Sequence, residues 1–346
     1  MRLKKIIKIV IISFIWSGFV FSGPAFAGVT INGRVDRLIH KGIHKVHKED
    51  VEGALLVFQE IIKQDEENPI GYFYIAALYE VLMQNYRTRV FSEKFYYYID
   101  KAIELGEKQV EADRNDPWAL FYLGGSYGYR AIDRSETGNW FGAFLDAGKG
   151  AEYLERAIRI KPELYDAHYG FGVYKYWRSV KSKVLWFLPG FDDEREVGIK
   201  QIKIAIKMGK YSRVTAKGAL IGIYYNEKDY KNALALIEEI LRQYPNDIYA
   251  QRMKGVILYE TKRLEEATLI FNRLSERLKN SQWKGSGVEL EVQYYLTLAH
   301  YNLEKMYEYK QGCERLTRLR KKLKNKAKSE TLNELLHKVA FVTKRG

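Results

Sequence analysis

Between residues 214 and 279 one pattern of apolar and polar positions occurs twice almost without interruption. Leu220 and Tyr224 fall four apart, and Ala233, Ile237 and Ile240 follow at intervals of four and three, so each run carries one apolar stripe at helical spacing. Counted from Val214, the residues Leu220, Tyr224, Ala233 and Pro245 occupy positions 7, 11, 20 and 32. A shift of 34 residues to Ile248 puts Gly255, Ala267, Phe271 and Leu274 at positions 8, 20, 24 and 27. The pattern predicts two helices per unit. Small residues at 8 and 20 let the backbones approach, and the large residue at 24 fills the space against the next unit. Proline at 32 ends the second helix because it lacks a donor and clashes with the preceding turn. A lone pair cannot hide both stripes, so the units must stack, and at least about three are needed.

The rest of the chain varies this unit. Asp36 to Lys48 and Asp50 to Gln64 predict a first pair, with Ala54 and Phe58 packing as the positions above do and Pro69 closing the unit. Gly71 to Gln84 and Ser92 to Asp113 predict a second pair, closed by Pro117. The third unit carries Leu123-Gly124-x2-Tyr127 and ends at Pro162 through Leu154 and Ala157. The fourth, from Tyr165, carries Phe171-Gly172 and then Gly198, Ile202 and Ala205. In both, the second helix arrives 14 residues late, which predicts insertions between the helices near 132–145 and 179–193. After a Gly/Ser break at Lys284-Gly285-Ser286-Gly287 come a degenerate pair, Val288 to Leu303 and Lys305 to Leu323, and a closing helix, Ser329 to Val342.

The 34-residue period and these residue types resemble the tetratricopeptide repeat, whose unit carries a W-x2-L-G-x2-Y, A-x3-F, P pattern. The resemblance implies an all-α solenoid of helix-turn-helix units in a right-handed superhelix, with about seven repeats plus a C-terminal capping helix. Residues 28–283 would hold repeats 1–6, and 284–346 the degenerate repeat and a basic cap. In that family the first helices line a concave surface, onto which positions 2, 5, 9 and 12 project. Transferred one by one, these positions give Phe73, Trp118, Phe121, Tyr169, Tyr176, Tyr225, Tyr249, Arg252 and Tyr259, an aromatic groove suited to a peptide or a partner helix. Family members that capture a C-terminal carboxylate use Lys, Asn and Arg at such positions, so that mode is not expected here. The same scaffold hosts unrelated tasks. The function that follows is a non-enzymatic scaffold binding a protein or peptide, with a small-ligand-binding component of a solute transporter as the alternative.

Composition adds a location. Arg2, Lys4, Lys5 and Lys8 precede an apolar run from Ile9 to Phe21, and Ala25-Phe26-Ala27 supplies the small residues of a cleavage site. Residues 1–27 thus predict a secretory signal, placing the protein in the periplasm or outside the cell. An uncleaved anchor helix is the alternative, though the run is shorter than the ~20 residues of a span. The single cysteine, Cys313, cannot form an internal disulfide and reads as a small buried hydrophobe. The net charge of +14 is concentrated at the end: from Glu314 to Gly346 there are 11 Lys or Arg against 3 Glu. There Leu316, Leu319 and Leu323 face one way while Arg315, Arg318, Arg320, Lys321, Lys322 and Lys324 cover the rest, a basic amphipathic helix. Its expected targets are anionic lipid headgroups or acidic cell-wall polymers, not nucleic acid.

Candidate chemistry is sparse. His40 and His44 stand four apart with Asp36 on the same side, the one arrangement that would suit a divalent metal; no HExxH motif supports it, and no metal or cofactor is expected. Gly124-Gly125-x2-Gly128 lies inside a helix without a following Lys-Ser/Thr, so close helix packing, and not phosphate binding, explains it. No nucleophile and base share a recognisable spacing. The apolar stretches Asn139-Trp140-Phe141 and Leu185 to Phe191 are expected to fold back on the solenoid, the alternative being an exposed patch.

Overall fold

A computed structural model describes residues 31–181, 192–282, 286–324 and 329–344. These residues form fifteen α-helices and no strand. Seven antiparallel pairs follow in order: α1 (Gly33–His47) with α2 (Val51–Gln64), α3 (Pro69–Tyr86) with α4 (Ser92–Ala112), α5 (Pro117–Glu136) with α6 (Trp140–Ile160), α7 (Ala167–Lys181) with α8 (Arg195–Met208), α9 (Arg213–Asn226) with α10 (Tyr230–Gln243), α11 (Ile248–Glu260) with α12 (Leu264–Lys279), and α13 (Gly287–Asn302) with α14 (Met306–Leu323). Helix α15 (Glu330–Thr343) closes the array.

Local chemistry sets the boundaries. Asn32, Asp50, Asn68, Asp116, Asn139, Asp229, Asp247 and Ser329 each cap a helix N-terminus, and Pro69 and Pro117 occupy first-turn positions where no donor is missed. The turn between the helices of repeats 5 and 6 places Lys228 and, 34 residues on, Lys262 in the left-handed region, with φ of 58° and 62°. The small residues act as expected. A Cβ on Gly172 would lie 2.6 Å from the Gly198 carbonyl oxygen, one on Gly124 would lie 2.9 Å from that of Gly150, and one on Gly255 would strike the Phe271 ring.

Two features depart from the sequence expectation. The added residues near 132–145 are not a loop: Ile132 to Glu136 extend α5, Trp140 to Leu145 extend α6, and the turn is only Thr137 to Asn139, with Gly138 at φ 80°. Nothing between 132 and 145 stops a helix except that glycine, so the length goes into two taller helices of 20 and 21 residues, against 14 in each helix of repeat 5. Most of the second expected insertion, residues 182–191, lies outside the described residues, as do residues 1–30 and the signal expected there.

The second departure is α3. Fifteen of its eighteen residues are buried, on every side of the helix. A helix apolar all round belongs in a core. The principal core joins repeats 1–3 to the far end of the chain: Ile39, Phe58, Ile75, Leu78, Phe95 and Leu120 share it with Ile248, Val256, Phe271, Val288 and Leu296. The array therefore coils tightly enough for its ends to meet around α3. Two smaller cores serve repeats 4 and 5 and the start of repeat 6, and another buries Cys313, Leu316, Leu319 and Leu323 of α14 against Leu332, Leu335, Leu336 and Val339 of α15. Burial raises the Cys313 thiol above its ordinary range, so it is an inert packing group.

Candidate interaction surface

The nine expected groove residues do lie on the first helices, but they do not line an open groove. Phe73, Phe121, Tyr176 and Arg252 are buried, while Trp118, Tyr169, Tyr225, Tyr249 and Tyr259 are half-buried. Phe73 meets Tyr122 edge-on with ring centroids 5.2 Å apart and Tyr129 at 5.7 Å, and Trp118 stacks on Tyr122. Tyr176, with no exposed surface, donates its hydroxyl hydrogen to Glu227 at 2.6 Å and accepts from Asn226 Nδ2 at 2.8 Å. Tyr249 donates to the Gly218 carbonyl at 3.0 Å, and Tyr259 packs edge-on against Tyr295 at 5.3 Å. Neighbouring first helices and the returning ends of the coil take up the surface that a longer-pitched superhelix would leave for a partner. The four buried residues are structural rings and a structural cation, and only the other five keep an edge in solvent.

Charged groups hold the closure. Glu291 on α13 accepts from Arg87 Nε and Nη2, at the C-terminus of α3, at 2.7 and 2.9 Å, and from Arg252 Nη1 on α11 at 2.9 Å. Burial alone would raise the Glu291 carboxyl, but Arg252 and Arg87 outweigh it and bring it down to about 2. Glu49 accepts from the Ile248 amide at 3.1 Å and from Arg277 at 3.1 Å, tying the turn of repeat 1 to repeat 6; its own burial raises its carboxyl. The histidines of α1 serve the same seam. The His40 ring lies tilted against Tyr211 with centroids 5.2 Å apart and Nε2 3.8 Å from Asp36, His44 Nδ1 is 3.4 Å from the Tyr244 hydroxyl, and His47 Nδ1 is 3.3 Å from Asp247. His40 and His44 thus turn to different tyrosines, and no group of three potential ligands forms among the described residues.

One cluster has no counterpart in the sequence expectation. Glu80, the only charged residue on α3, is 1% exposed and faces Asp133 of α5. Arg89 Nη1 lies 2.5 Å from Asp133, and Gln84 donates to Glu80 Oε1 at 2.9 Å, while Glu80 Oε2 has no hydrogen-bond partner among the described residues. Burial first, and the Asp133 charge second, push the Glu80 carboxyl up to about 8, so it is mostly protonated at neutral pH. Its signal in the sequence is a single acid within eighteen otherwise uncharged residues.

The accessible aromatic surface is on the outside. A shallow cleft of about 390 Å³ opens between α2 and α4, lined by Leu55, Gln59, Tyr79, Glu93, Lys94, Tyr97 and Tyr98, with Tyr97 66% exposed. A second of about 200 Å³ lies among α10, α11 and α12. The tall α6 also leaves Trp140, Phe141, Phe144 and Leu145 exposed, so the expectation that the first apolar stretch folds back is overturned; the second stretch, Leu185 to Phe191, lies outside the described residues.

With this architecture in place, the tetratricopeptide repeat family matches residues 224–286, the end of repeat 5 and all of repeat 6. That stretch of the chain carries the tetratricopeptide repeat. The TPR repeat-containing protein MJ1428 of Methanocaldococcus jannaschii is 22% identical over 265 residues, which cover 71% of this chain and 43% of that protein. The chain thus spans less than half the length of this curated relative. Among solved structures, the thermophilic TPR protein TTC0263 of Thermus thermophilus is 17% identical, with a TM-score of 0.41 over 64% of this chain and 97% of that one. The human IFIT1 dimer with m7Gppp-AAAA is 13% identical, with a TM-score of 0.45 over 84% of this chain and 74% of that one. Tetratricopeptide repeat folds are typically non-catalytic scaffolds that commonly bind protein partners.

Proposed function

We propose that this chain is an exported, non-enzymatic scaffold that holds a peptide segment of a protein partner, in envelope assembly, secretion or transport. The observation that carries the reading is the cleft between α2 and α4, since the inner face is filled and partner capture needs accessible aromatic surface. Exposed Tyr97 and half-buried Tyr98 offer contact at small entropic cost, buried Tyr79 of α3 backs them, and half-buried Leu55 supplies an apolar floor. Glu93 and Lys94 at the rim can select charged neighbours of an apolar anchor residue. The leader-like residues 1–27 support export, and the periplasm is the compartment we assign. The half-buried edges of Trp118, Tyr169, Tyr225, Tyr249 and Tyr259 are the second surface to test.

Native mass spectrometry of the protein purified gently from its own cell envelope tests the reading. A co-purifying polypeptide lost in the Tyr97→Ala/Tyr98→Ala variant, and kept in Tyr225→Ala/Tyr259→Ala, is the expected result. Loss only in the second variant returns binding to the inner face. A stoichiometric adduct of a few hundred daltons in place of a polypeptide overturns the scaffold reading in favour of a ligand carrier.

A further inference from the structure

We infer that the N-terminal end of α6 and the basic end of α14 form a docking surface for an anionic lipid bilayer. Trp140, Phe141, Phe144 and Leu145 are all exposed, Phe141 by 75% and Phe144 by 62%, and they occupy the first two turns of one helix. Four large apolar side chains on adjoining positions differ from the single exposed hydrophobes that any surface carries. The lengthened α5 and α6, of 20 and 21 residues, place the group at the tip of repeat 3. Indole and phenyl rings at the edge of an otherwise polar surface suit the headgroup region, where Trp keeps a hydrogen bond while its ring enters the acyl boundary. Here Trp140 Nε1 donates to Glu330 Oε1 at 3.1 Å, and Lys181 lies over the indole, 4.8 Å from its centroid.

Charge selects lipid over a neutral apolar partner. On the exposed side of α14, Arg318, Lys321, Lys322 and Lys324 form no ion pair among the described residues. Acids pair with exposed lysines and arginines at several other places, as in Lys101 and Lys108 on Glu104, Arg263 on Glu266, and Lys279 on Glu276, whereas these four cations crowd one helix end with no acid between them. The unmatched end of α14 is held near the aromatic group. Lys324 precedes Glu330 by six residues, a reach of at most about 22 Å, and α15 is fixed to the tip of repeat 3 through Glu330 on Trp140 and Thr331 on Glu136 at 2.8 Å. Leu316, Leu319 and Leu323 are buried against α15, so α14 contributes charge while α6 contributes insertion. Neither part alone suffices, because lasting surface attachment takes both an apolar and an electrostatic contribution. The surface is separate from the cleft between α2 and α4, and the inference does not rest on it.

The chain from Gly28 onward keeps every described residue and avoids the run Ile9 to Phe21, which would itself enter lipid. Its co-sedimentation with phosphatidylglycerol-containing vesicles and with pure phosphatidylcholine vesicles, with Trp quenching by brominated acyl chains, tests the inference. Binding only to the anionic vesicles is expected, weakening with added salt. Lys321→Glu/Lys322→Glu should weaken it by at least about tenfold, since each basic residue near such a surface adds about fivefold. Phe141→Ser/Phe144→Ser should abolish the quenching with helicity unchanged, and Tyr97→Ala/Tyr98→Ala should leave binding intact. Equal binding to both lipids, binding that either double variant leaves unchanged, or no lipid binding at all would overturn the inference. In the last case, loss of a co-purifying protein in Phe141→Ser/Phe144→Ser would assign the patch to a protein partner.

Discussion

Helix α3, the first of its pair, and helix α10, the second of its pair, occupy opposite kinds of place. Helix α10 buries only Ala233, Ile237 and Ile240 of its fourteen residues, the single stripe that a stacked repeat requires. Helix α3 buries fifteen of eighteen and carries one charged side chain, itself buried. The period that defines the repeat sets the stripe; how much of the remaining surface is apolar decides whether the helix stays on the wall of the coil or becomes its axis. Repeat arrays are held by nearest-neighbour interfaces. This one adds contacts between residues some 200 positions apart, such as Arg87 with Glu291 and Glu49 with Ile248, so its two ends stabilise one another.

The largest expected effect breaks that closure. Glu291→Gln leaves Arg87 and Arg252 sharing a buried site without a counter-charge and should cost about 3–5 kcal/mol, read from denaturant midpoints. Ile75→Ala in α3 and Ile237→Ala in α10 both empty a fully buried site. Each should cost about 2–5 kcal/mol. The first should lower the global transition, and the second should loosen repeats 5 and 6 ahead of the rest, visible as a separate early transition by hydrogen exchange. Coincident transitions in both variants would erase the distinction between axis and wall.

A smaller effect of opposite sign is expected at Glu80. Its folded carboxyl sits at about 8, above the ordinary 4.5, so its contribution is complete below 4.5 and is lost as pH rises toward 8. Glu80→Gln should therefore gain on the parent through that window and be more stable by about 1–3 kcal/mol at pH 8. Glu291 behaves oppositely: lowered to about 2, it stabilises above 4.5, and that contribution disappears as pH falls toward 2. The smallest effect belongs to the outer wall, where Leu56→Ser on exposed α2 surface should change stability by less than about 0.5 kcal/mol.

The repeat is legible in the sequence because its information is local. Gly172 against Gly198, Gly255 against Phe271, and the paired turns at Lys228 and Lys262 follow from residues at most 34 apart. The closure is not legible, because no spacing records that α1 will meet Tyr211 and Tyr244 or that α13 will meet Arg87. That omission explains the misplaced groove. Phe73 and Phe121 stand on the inner face as counted, yet the coil is too tight to leave it open. The elongation of repeat 3 reads as an interruption because its second helix comes 14 residues late, whereas helix continuity from Ile132 to Glu136 carries no marker of its own. The sequence does hold one clue to the closure, the unbroken apolar run of α3.

Hydrogen exchange resolved to α3 and α10 in the unmodified protein tests the central claim most directly. If α3 is the axis of a closed coil, its interior amides from Phe73 to Met83 should exchange only through global unfolding, while α10 exchanges earlier through local opening. Exchange of α3 at the rate of α10 would mean that the ends of the coil separate in solution and that the inner aromatic face opens with them.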